Sequence, residues 1–224
     1  MTNRKITSTL QITKVDEDNN KIAGVKFGIY DLEDNLISEH ITDENGYIEV
    51  ELEYGKYYFK ELATLNHFVI TDEKIYFEVV EDKAIIENTI INKVITGDFE
   101  LTKTDFATGE VIAGALIKIY DENEELVFSD YTDEFGKIYV KGLKYGKYKY
   151  FESQAPEGYI LNDEPHYFEI LEDGTIIKDT LSNEKIIVEV PNTSVADSKV
   201  VTAITIVSII AGLGFIIYDK KRKK

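Results

Sequence analysis

Three residue types recur together twice along the chain: Lys14, Glu61 and Asn92, then Lys103, Glu152 and Asn183, each 89 to 91 residues after its counterpart. In water the three are inert toward one another. Burial changes this, because it disfavours charge on both an amine and a carboxylate, so a buried amine tends to shed its proton and a buried acid to keep one. A neutral amine is a nucleophile, a carboxylic acid donates a proton to a carboxamide, and an Asn side chain offers an electrophilic carbon with ammonia as leaving group. Held together out of water, each triplet has the parts for one reaction, the joining of Lys to Asn through an isopeptide bond. Such chemistry is self-directed and happens once, so Glu61 and Glu152 are candidate promoting acids and no catalytic turnover is expected.

Strands place these residues, since side chains of one parity share one face. Lys14 follows Leu10 and Ile12 in phase, and Lys103 follows Phe99 and Leu101. Glu61 follows Tyr57 and Phe59, Glu152 follows Tyr148 and Tyr150, Asn92 is in phase with Ile90 and Val94, and Asn183 with Leu181. Any one of them alone reads as a strand-end residue reaching water. The same three in both halves read as an inward-facing set.

The duplication extends along the chain. LQITKVD (10–16) lies over FELTKTD (99–105), KIAGVKFGIYD (21–31) over VIAGALIKIYD (111–121), TDENGYIEV (42–50) over TDEFGKIYV (132–140) and YGKYYFKE (54–61) over YGKYKYFE (145–152). Abundant Tyr, Phe, Ile and Val with only three prolines favour many short strands. The expected fold is therefore all-β, two tandem Ig-like β-sandwiches over residues 8–95 and 97–187 with about seven segments each. Thr96-Gly97-Asp98 reads as the boundary. In Asp43-Glu44-Asn45-Gly46 and Asp133-Glu134-Phe135-Gly136 the glycine supplies the positive φ of a hairpin, and the calcium-loop spacing with its distal Glu is absent, so no metal is expected. His40, His67 and His166 share no motif, and no cofactor is implied.

Net charge is −17 and stands near −22 without Lys220-Lys221-Arg222-Lys223-Lys224, which argues against a nucleic-acid partner. The absence of cysteine excludes disulfides, thiolate metal sites and a Cys nucleophile. After a linker (188–199), the uncharged run 200–218 is long enough for one C-terminal transmembrane helix, and the basic tail (219–224) marks its cytoplasmic end, so the sandwiches are expected outside the cell. Residues 1–10 lack the apolar core of an export signal, so an export signal and further domains are expected upstream of Ile6.

The two units resemble the CnaB or SpaA-like, prealbumin-like domains of Gram-positive surface adhesins and pilins over about residues 8 to 187. In that family a Lys lies in a K-x-D first strand, a Glu precedes A-P-x-G-Y, and an Asn ends the last strand. The second unit matches at Lys103, Glu152 and Asn183 with Ala155-Pro156-Glu157-Gly158-Tyr159 intact. The first keeps Lys14, Glu61 and Asn92 but carries Ala63-Thr64-Leu65-Asn66-His67-Phe68 in place of that segment. The resemblance implies Lys14–Asn92 and Lys103–Asn183 cross-links.

Val190-Pro191-Asn192-Thr193-Ser194, ahead of the apolar run, is similar to an L-P-x-T-G sortase motif, with Val for Leu and Ser for Gly. This implies a sortase as partner and transfer of Thr193 to a peptidoglycan or pilin amine. The reading that follows is a wall-anchored adhesin or pilin-type stalk module, with host protein or glycan binding carried by upstream domains. No V-Y-P-K-type motif occurs, which favours a minor or basal pilin or a monomeric adhesin over a shaft subunit. The alternative is a receptor retained by its membrane helix, whose sandwiches bind host protein or glycan directly.

Overall fold

The computed structural model describes residues 5–188. The V-P-N-T-S segment, the apolar run and the basic tail lie outside the described residues.

Among the described residues, fourteen strands form two successive sets of seven. The first comprises β1 (Thr7–Asp16), β2 (Lys26–Asp31), β3 (Leu36–Ile41), β4 (Tyr47–Glu53), β5 (Gly55–Ala63), β6 (Ile75–Val79) and β7 (Ile85–Asn92). The second comprises β8 (Thr96–Asp105), β9 (Leu116–Asp121), β10 (Leu126–Tyr131), β11 (Lys137–Lys144), β12 (Gly146–Gln154), β13 (His166–Ile170) and β14 (Ile176–Asn183). Each set makes a three-stranded sheet, β4-β1-β7 or β11-β8-β14, and a four-stranded sheet, β3-β2-β5-β6 or β10-β9-β12-β13. The described residues are all-β, two tandem sandwiches.

The alternation that predicts the strands also builds the cores. Along β1, Ser8, Leu10, Ile12 and Lys14 are buried, with half-exposed Thr9, Gln11 and Thr13 between them, and along β8 Gly97, Phe99, Leu101, Lys103 and Asp105 are buried in the same alternation. The first core packs Leu10, Ile12, Phe27, Ile29 and Phe59, with Phe27 and Phe59 edge to face at 5.9 Å. The second stacks Phe99 on Phe168 at 4.2 Å beside Tyr150, whose hydroxyl donates to Asp179 at 2.6 Å. Burial of such side chains contributes about 1.5–3 kcal/mol each.

The first and last strands of each sandwich lie side by side and parallel: β1 pairs with β7, and β8 with β14. A hairpin glycine presses against the lysine strand. At Gly46 (φ 66°) a Cβ would stand 2.5 Å from the Lys14 carbonyl oxygen, and at Gly136 (φ 68°) 2.8 Å from that of Lys103. Glycine is required there by conformation and by space. The neighbouring acids are occupied: Asp43 accepts from the N–H groups of Asn45 (2.9 Å) and Tyr47 (2.8 Å), and Asp133 from those of Phe135 (2.9 Å) and Lys137 (2.7 Å).

Thr96-Gly97-Asp98, read as the boundary, opens the second sandwich, since β8 begins at Thr96. Gly97 serves close packing, since a Cβ there would lie 2.9 Å from Thr175 and 3.0 Å from Ile170. The connection is Lys93–Ile95, and it is bonded on both sides. Val69 N–H donates to the Lys93 carbonyl (2.8 Å), Ile95 N–H to that of His67 (2.9 Å), and Tyr145 N–H to that of Ile95 (2.8 Å).

Candidate functional site

Each of the six predicted residues ends in one of two buried clusters, one per sandwich. β1 carries Lys14, β5 carries Glu61 and β7 ends at Asn92; β8, β12 and β14 supply Lys103, Glu152 and Asn183. The lysine and asparagine come from the three-stranded sheet and the acid from the facing sheet, so the cluster spans the core. Lys14 and Lys103 are fully buried, and no acid or asparagine of the clusters exceeds 4% exposure. An ion in that position costs several kcal/mol unless paired, so each lysine depends on its acid.

In the second sandwich Lys103 Nζ donates to Asn183 Oδ1, and Asn183 Nδ2 donates to both Glu152 oxygens, at 2.9 Å to Oε1 and 2.8 Å to Oε2. Lys103 Nζ lies 3.7 Å from Glu152 Oε1. The first sandwich repeats the set: Lys14 Nζ donates to Asn92 Oδ1, Asn92 Nδ2 to Glu61 Oε1 (2.8 Å), and Lys14 Nζ lies 3.6 Å from Glu61 Oε2. The amide therefore faces the amine with its oxygen and the acid with its nitrogen. Burial pushes the Lys103 amine down to about 8, against the opposing charge of Glu152. Burial also lowers Lys14, opposed by Glu61. Both lysines are shifted toward the nucleophilic form.

The surroundings differ, and they contain residues that strand periodicity does not reveal. Glu152 Oε2 accepts from the backbone N–H of Asn162 at 2.9 Å, whereas Glu61 Oε2 has no hydrogen-bond partner. Asn92 Nδ2 also donates to Thr64 Oγ1 at 2.8 Å. Beyond Asn183, buried Asp105 takes Lys185 as an ion pair at 3.0 Å and accepts from the Tyr159 hydroxyl at 3.1 Å. Lys185, together with backbone N–H donors, holds the Asp105 carboxyl well below the usual range. Phe68 and Val94 stand at the matching positions of the first sandwich and bring neither hydroxyl nor amine.

The histidines stand apart from both clusters. His40 Nε2 meets Ser38 Oγ at 2.9 Å, the rings of His67 and Tyr145 are 6.4 Å apart, and His166 stacks on Tyr150 at 5.2 Å. His166 Nε2 is buried without a hydrogen-bond partner.

The family model for SpaA, the prealbumin-like fold domain, matches residues 8–94 and again 97–185. The chain belongs to this family. Among solved structures, the Bacillus anthracis TIE protein is 39% identical with a TM-score of 0.74, over 80% of this chain and 35% of that one. A streptococcal ancillary pilin is 26% identical (TM-score 0.39; 81% and 63% of the two chains), and a Streptococcus agalactiae minor pilin 20% identical (TM-score 0.40; 82% and 99%). This SpaA-family chain thus spans about a third of the length of its Bacillus anthracis neighbour. No curated protein matches it.

Proposed function

We propose that this SpaA-family chain is a cell-surface stalk module, of an adhesin or a minor pilin, whose two sandwiches each close a Lys–Asn isopeptide bond without help from another protein. The observation that carries the reading is the duplicated buried cluster, with the amide oxygen on the amine and the amide nitrogen on the acid.

In the reaction the neutral Nζ of Lys103 attacks Cγ of Asn183 and the Nζ–Cγ bond forms. Glu152 passes a proton to Nδ2 as the Cγ–Nδ2 bond breaks, takes one from the new amide nitrogen, and ammonia leaves. Atoms balance without any other reactant. Lys14, Glu61 and Asn92 do the same in the first sandwich. Burial favours the neutral amine, and contact geometry supplies the proximity that replaces turnover by an external enzyme.

Attachment is part of the same proposal. Residues 200–218 hold the chain in the bilayer, a sortase cleaves after Thr193 within Val190-Pro191-Asn192-Thr193-Ser194, and Thr193 passes to a peptidoglycan or pilin amine. The module is then anchored to the wall, and any ligand for host protein or glycan is carried by other domains. Intact mass tests the cross-links, and the fate of Thr193 tests the anchor.

A further inference from the structure

We infer that Thr64 is a positioning residue for the first cross-link, holding the Asn92 carboxamide by its second hydrogen. This rests on the Lys–Asn reading above. Position 64 aligns with Ala155, inside the stretch where the first unit departs from A-P-E-G-Y. Ala155 has no hydroxyl, and in that sandwich Asn183 Nδ2 turns to both oxygens of Glu152. In the first sandwich the donors are divided. One contact of Asn92 Nδ2 goes to Glu61 Oε1 and the other to Thr64 Oγ1, both at 2.8 Å, while Oδ1 faces Lys14 Nζ.

Two consequences follow from the division. The carboxamide is held at three points, two on its nitrogen and one on its oxygen, which fixes its plane and the face that Cγ presents to Nζ. Glu61 Oε2 is also left clear of the amide, and it is the oxygen 3.6 Å from Lys14 Nζ. One oxygen of the acid serves the leaving nitrogen and the other faces the amine. In the second sandwich the Asn162 N–H steadies the acid instead, so the two sites reach a similar orientation by different contacts. A misplacement of about 1 Å at a reacting centre can slow reaction by about a hundredfold, so a single hydroxyl at this place has leverage.

The test uses the full chain, extracted in detergent, with Thr64→Val and Thr64→Ser. Valine keeps the shape without the hydroxyl, and serine keeps the hydroxyl. Cross-linking is followed by mass spectrometry of the peptides containing Lys14 and Asn92, with the Lys103–Asn183 pair as internal control. The expected result is formation slowed about tenfold or more in Thr64→Val, restored in Thr64→Ser, and unchanged at the control pair. Equal rates in wild type and Thr64→Val overturn the inference and leave the Lys–Asn reading standing. A wild-type chain unlinked at Lys14 removes that reading for this site. Thr64 is then judged in a Lys14→Met background by hydrogen exchange of the Asn92 side-chain amide. Exchange about tenfold faster with Thr64→Val but not Thr64→Ser supports the hold, and equal exchange overturns it.

Discussion

Lys103 and Asn183 sit on neighbouring parallel strands but not opposite one another: Lys103 is in register with Leu181, and Asn183 with Asp105. Lys14 and Asn92 repeat the offset, in register with Ile90 and Asp16. A two-residue step keeps both side chains on the core face, and the long lysine stem spans the step to bring Nζ onto the amide.

Each proposed cross-link would expel one ammonia. A fragment of residues 1–199 should therefore weigh about 34 Da less than its sequence mass when both bonds have formed. A loss of about 17 Da would assign reaction to one sandwich alone, and an unchanged mass would end the mechanism.

Glu152→Ala should leave Lys103 and Asn183 unjoined, with the full mass of the second sandwich retained. The proposed bond would close a loop between residues 80 apart in sequence. Losing such a closure removes on the order of 4 kcal/mol, which for a sandwich of this size lowers Tm by roughly 15–30 °C. Calorimetry beside mass spectrometry checks both effects. Retention of the bond in this variant would show that Glu152 is not the promoting acid.

The reaction uses one proton shared between Nζ and the carboxyl, and the lowered Lys103 value of about 8 sets where the folded site loses it. Refolding unreacted chain at a series of pH values should give a level rate of Lys103–Asn183 joining below that point. Above it the rate should fall by about tenfold per unit. A rate that climbs through this pH would mean that amine deprotonation alone controls the step. The same shift gives the unreacted fold a sign to check: between about 8 and 10.5 the unfolded chain keeps a proton that the folded site has released, so stability rises with pH across that window.

Cells carrying the protein with an export signal should release it when the wall is digested, with its C-terminal peptide ending at Thr193 on a wall or pilin amine. Thr193→Ala should move it to the membrane fraction. Wild-type protein that needs detergent and keeps Lys220 to Lys224 would favour a membrane-retained receptor instead.

Period-two alternation made the clusters legible. Lys14, Glu61 and Asn92 announce themselves because a charged or amide group in phase with Leu10, Phe59 or Ile90 has to face a core. The pairing of first and last strands, with its two-residue offset, is not written in either strand alone. Thr64 escaped because it follows β5 in a segment without a period. Asn162 acts on Glu152 through its backbone N–H, which most residue types would supply equally well. Gly97 has a role that its place at the boundary does not show: only the proximity of Ile170 and Thr175 reveals the tight packing that requires it.

The parallel pairing of β1 with β7, and of β8 with β14, has a mechanical meaning. Tension applied at the two ends enters β1 at Thr7 and leaves β7 at Asn92, so it shears the ladder between them. With the bond closed, load passes from Thr7 along β1 to Lys14, across to Asn92, through Lys93–Ile95 into β8, and from Lys103 to Asn183. Residues 15–91 and 104–182 then hang as side loops outside the load-bearing path. A protease that nicks an exposed hairpin such as Glu44-Asn45 would cut a loop while the tether stays covalently continuous from Thr7 to Asn183.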